Sequence, residues 1–182
     1  MRTALWAAAA AATLLAPAGS AGASGIRADG YRMSTQARFA PPAAFVPSAA
    51  ITYDMDLVPA AARIEVAQET EPLGATTVRL AVEGLEPGRA YGAYVHREPC
   101  GPGPAAAGGR YRHVPGTGED HVHAGNEVWL NFTPGGDGAA AATARHGWGF
   151  RRGEASSVVL YDGTGGAAAP VGCFTVPFGW VA

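Results

Sequence analysis

The chain has 182 residues, 13 cationic against 15 acidic side chains and a formal net charge of −2. That balance provides no basic footprint for nucleic acid or for an anionic membrane surface. All the cations are arginines, and 26 glycines with 14 prolines interrupt an alanine-rich sequence too often for long helices.

The chain opens with MRTALWAAAAAATLLAPAGSAGAS, in which Arg2 precedes an apolar run from Ala4 to Ala16 and the small residues Ala21-Gly22-Ala23. This is the pattern of a secretory signal peptide over 1–23, with an apolar run too short to span a bilayer. The mature protein is therefore expected to be secreted, and no later segment is long and apolar enough for a membrane span. Residues 24–49 are irregular, with Pro41, Pro42 and Pro47, and predict a flexible N-terminal arm. The remaining residues, 50–182, are long enough for one β domain with its own core.

From Ala50 the pattern alternates. Ile51, Tyr53, Met55 and Leu57 share one face, with Asp54 and Asp56 on the other. Ile64 and Val66 follow, then Val78, Leu80 and Val82, each apolar residue alternating with a small, polar or charged one. These are half-buried antiparallel strands. In EGLEPGRA, Pro87 sets the first corner of a type II turn and Gly88 supplies the second. A strand over about 90–97 leads to a long loop from Glu98 to roughly Asn126, and loops of such length are commonly functional or disordered. Further strands are expected at Val128–Phe132, Ala140–Arg145, 156–162 and 171–178. The fold class is all-β: a Greek-key barrel or sandwich of seven or eight antiparallel strands with one long loop. Two cysteines in an exported chain most simply form one disulfide, Cys100 with Cys173.

Several segments carry a resemblance. TTVRLAVEGLEPGRAYGAYVHREPCG (76–101), AAGGRYRHVPG (106–116), GDGAAAATA (136–144), SSVVLYD (156–162) and VGCFTV (171–176) follow one another in the order of the copper-zinc superoxide dismutase family. The chain resembles a divergent, exported bacterial-type member of that family over about 50–178. The resemblance implies the same superoxide dismutase-like β-barrel and the same Cys100–Cys173 pairing. It also implies copper and zinc as cofactors, superoxide as substrate, and dismutation to oxygen and hydrogen peroxide.

Carried over position by position, the copper ligands fare badly. His96 matches the second histidine of the family's H-V-H strand. Tyr94 stands in place of the first, Arg110 in place of the bridging histidine, and Tyr161 in place of the histidine on the V-V-H strand. Pro170 stands where the family places its anion-guiding arginine. A phenol must first lose a proton near pH 10 to bind a metal, and an arginine offers no lone pair. For zinc, the loop donors are His113, His121, His123 and Asp120; the alternative is that these are solvated loop side chains. Tyr94 and Tyr161 read most simply as aromatic cover on one sheet face, with Arg110 in cation–π reach of a ring. The resulting expectation is a superoxide dismutase-like protein with a degenerate copper site, weakly active or inactive. The alternative is a non-enzymatic secreted interaction module or a zinc- or copper-binding protein. No catalytic residue, protein partner or oligomeric state is assigned.

Overall fold

Strands form wherever a two-residue alternation lets one face be covered. A computed structural model describes residues 30–165 and 167–180; the expected signal peptide, 1–23, lies outside the described residues. The strands are β1 Tyr31–Ala40, β2 Ala50–Thr52, β3 Arg63–Thr70, β4 Thr76–Glu83, β5 Tyr91–His96, β6 Ala140–His146, β7 Ser157–Asp162 and β8 Pro170–Thr175. They make one sheet in the order β5-β7-β8-β2-β1-β3-β4-β6. The two halves of that sheet share one core. Ile64, Val66, Val78, Leu80 and Val82 from β3 and β4 pack in the same cluster as Val95, Val158, Leu160 and Phe174 from β5, β7 and β8. The fold is therefore all-β with eight strands, and Cys100 is bonded to Cys173 with the Cα atoms 5.7 Å apart. Among the described residues no helix is long and apolar enough to cross a membrane.

The expected arm is corrected over half of its described length, 31–40 of 30–49. Tyr31–Ala40 is a strand, paired antiparallel with β3 from Tyr31 to Arg38. Tyr31, Met33, Thr35, Ala37 and Phe39 are more buried than the residues between them, so the two-residue pattern was present. The prolines come only after the strand has ended. The expected strand over 51–57 is corrected too, because it stops at Thr52. The Asp54 carboxylate accepts from the backbone N–H of Asp56 at 3.0 Å and of Leu57 at 3.2 Å, an Asx-type turn that competes with the ladder. One pairing is parallel, β1 with β2 through Phe39↔Ala50 and Ala40↔Ile51. The expected strand at 128–132 is a run of isolated bridges against β5, including Leu130 N–H to Ala93 O at 2.8 Å. Gly88 has φ +73°, as the turn reading requires.

β5 is the only one of the eight strands buried at every position, and that positions the site. Tyr91, Ala93 and Val95 face the core, so Gly92, Tyr94 and His96 face the other way. That outer face is roofed by the long loop. Beneath the same roof lies a second apolar cluster of Ala107, Val159 and Cys173, with Tyr53, Cys100 and Tyr161 against it. The disulfide thus fastens the start of the loop to β8.

Candidate functional site

The outer face of β5 brings together the positions that the resemblance singles out. Tyr94 and Tyr161 lie on paired strands, β5 and β7, with ring centroids 5.5 Å apart in an edge arrangement. Arg110 arrives opposite His96 through a bridge between their backbones. Its guanidinium carbon sits 3.5 Å from the Tyr94 ring centroid and 5.5 Å from that of Tyr161, both within cation–π reach. Room for this is made at Gly92, where a Cβ would fall 2.7 Å from Gly163 O and 3.0 Å from Tyr94 Oη.

His96 is only 4% exposed, and both its ring nitrogens are engaged. Nδ1 lies 2.8 Å from Gly108 O, a carbonyl that can only accept, so the proton sits on Nδ1. Nε2 is then the acceptor, and Tyr161 Oη donates to it at 3.1 Å. Burial raises the Tyr161 phenol above its ordinary value, against the opposing pull of Arg110.

Beneath Arg110 lies a residue that sequence reasoning missed. Glu127 has a side chain only 1% exposed. It accepts from Arg112 Nε at 2.9 Å, Trp129 Nε1 at 2.9 Å and Arg110 Nη1 at 3.4 Å. The signal was its spacing. Residues 127 and 129 share a face of the segment beside β5, so a lone carboxylate among apolar neighbours stands with Trp129 over Tyr94. Asn126 was missed as well; its amide holds Val114 O at 3.0 Å and His121 O at 2.9 Å and accepts Val114 N–H at 2.7 Å. Arg151 pins the same loop through His113 O and through Arg112 O at 3.0 Å.

These residues do not fit copper. The cluster offers a single ring nitrogen, already hydrogen-bonded, among two phenols and a guanidinium that has no lone pair. The zinc candidates are spread out. His113 stacks on Trp148 at 4.6 Å. His123 Nδ1 accepts Gly125 N–H at 3.2 Å, and His121 Nε2 lies 3.9 Å from its chain neighbour Asp120. Among the described residues no three His, Cys, Asp or Glu side chains gather where they could hold a metal ion.

No family model matches the chain, and no curated protein matches it. A solved structure of a double mutant of a SOD-like protein from Bacillus subtilis, with a tyrosine and a proline changed to histidine, is similar in part. Its TM-score is 0.43 at 16% identity, covering 60% of this chain and 87% of that one.

His146, beyond the sequence candidates, also stacks on Trp148, at 4.1 Å. Three imidazoles are held below the ordinary histidine value: His96 by burial and Arg110, His113 by burial and Arg151, and His146 by burial and His113. For His96 the bond to Gly108 partly opposes this. The unfolded chain therefore takes up these protons first, near pH 6.5. Stability conferred by the neutral rings is fully present above that value and is lost as pH falls through the lowered folded values. The urea midpoint is expected to be lower at about pH 5.5 than at about pH 7.5. An equal or higher midpoint at the lower pH would contradict this.

Proposed function

We propose that this chain is an exported superoxide dismutase-like β domain that does not run the copper reaction and acts as a non-enzymatic binding module. The domain begins at β1 and follows a cleaved leader over 1–23. The family reading rests on the ordered segments between residues 50 and 178. A disulfide suits export, because such bonds persist in oxidising compartments. One observation carries the mechanistic half. The Arg110 guanidinium lies 3.5 Å from the Tyr94 ring, in the pocket where copper would need neutral nitrogens. Dismutation needs a metal that cycles between two oxidation states, and the cluster offers one imidazole, already hydrogen-bonded on both sides, where several neutral nitrogens would be needed.

Copper and zinc loading of the purified mature protein, followed by metal analysis and a superoxide assay, tests this. Expected are no stoichiometric copper and no dismutation above that of free buffer metal. One copper per chain with rapid turnover would restore the enzyme reading. Stoichiometric zinc without turnover would make the chain a metal-binding protein instead.

A further inference from the structure

Three arginines cluster with their side chains largely out of solvent: Arg110 at 19%, Arg112 at 24% and Arg151 at 32% exposure. Packing like charges this way is unfavourable unless anions answer them. Two carboxylates do so: Glu127 for Arg110 and Arg112, and Glu154 for Arg151 at 2.6 Å. A fourth arginine, Arg97, stands exposed at the same cleft and makes no ion pair among the described residues. Four cations against two anions leave two positive charges unanswered.

The cleft they line holds about 560 Å³ between the 109–117 loop and the 151–154 turn. Three of its four guanidiniums are fixed from behind. Arg110 lies on Tyr94, Arg112 is tied to Glu127 and to Gly116 O, and Arg151 lies 4.9 Å from the Tyr111 ring centroid. Arg112 spends Nε and Nη1 on those bonds, which leaves Nη2 for another partner. Positioned forks of this kind lose little freedom on binding an oxyanion.

We propose that this cleft binds a dianionic phosphate group, free or carried as a monoester on a small molecule. A phosphate monoester is close to doubly charged above about pH 6 and brings three acceptor oxygens. It therefore matches both the two excess charges and the bidentate geometry of arginine, whereas a carboxylate supplies half the charge. The volume falls within the roughly 300–1,000 Å³ of small-molecule sites, which leaves room for an organic part. The proposal shares Arg110 with the metal question but does not use His96, and metal loading and phosphate titration read different ligands, so they can fail separately.

The test is calorimetric titration of the mature full chain with inorganic phosphate, glycerol phosphate and glycerol. Both phosphates are expected to bind saturably at one site, and glycerol not at all. Arg97→Glu is expected to weaken phosphate binding about tenfold or more without moving the thermal midpoint of the free protein. Tighter binding of glycerol phosphate than of inorganic phosphate would assign an ester ligand, and equal binding would assign the free ion to the same cleft. No saturable binding of either phosphate would overturn the proposal, as would undiminished binding in Arg97→Glu.

Discussion

Glu127→Ala is expected to destabilise the domain by about 3–5 kcal/mol, the range for removing one partner of a buried ionic cluster. The carboxylate is 1% exposed and bonds two guanidiniums and an indole N–H. Its loss would leave two cations close together, with Trp129 Nε1 lacking its acceptor. The cost comes mainly from the stranded charges rather than from the bonds themselves. Glu127→Leu combined with Arg110→Met and Arg112→Met is therefore expected to recover much of the loss, because apolar replacement of a whole buried cluster is often neutral or better. Urea denaturation of the single and triple variants measures both effects. A single-variant loss below about 1 kcal/mol would show that the cluster is not the anchor described here.

Replacing both cysteines, Cys100→Ala with Cys173→Ala, is expected to cost about 4 kcal/mol in the chain-entropy treatment. The bond links residues 73 apart, so it constrains a large unfolded loop. It also belongs to the small cluster of Ala107, Val159 and Tyr161 under the loop. Its removal should therefore loosen residues 98–127 before the core, visible as faster amide exchange there than in β3 and β4. Unchanged stability with an unchanged exchange pattern would show that the apolar cluster alone fastens the loop.

Much of the sheet was legible because its signal is local. β3 and β4 carry alternation and β7 a β-branched run, signals that survive without knowledge of neighbours. β1 was also legible but was overshadowed by Pro41, Pro42 and Pro47, which act only on the chain beyond it. The end of β2 was not legible from alternation, since Tyr53, Met55 and Leu57 continue the pattern while the Asp54 side chain redirects the backbone. The contact of Arg110 with one tyrosine ring followed from ligand positions on the sequence, and the geometry places it within reach of both. The role of Glu127 did not follow, because it depends on the loop folding back so that residues 110, 112, 127 and 129 meet. The pairing of Arg151 with loop carbonyls depends on the same tertiary closure, for which no spacing rule exists.

The most direct test is the ring-nitrogen NMR spectrum of His96 in labelled protein, recorded before and after one equivalent each of Cu(I) and Zn(II). Expected is a neutral ring with its proton on Nδ1 and an Nε2 resonance typical of a hydrogen-bond acceptor, unmoved by either metal. A stoichiometric shift of the Nε2 resonance on adding Cu(I) would contradict the conclusion that tyrosine and arginine have closed this pocket to metal.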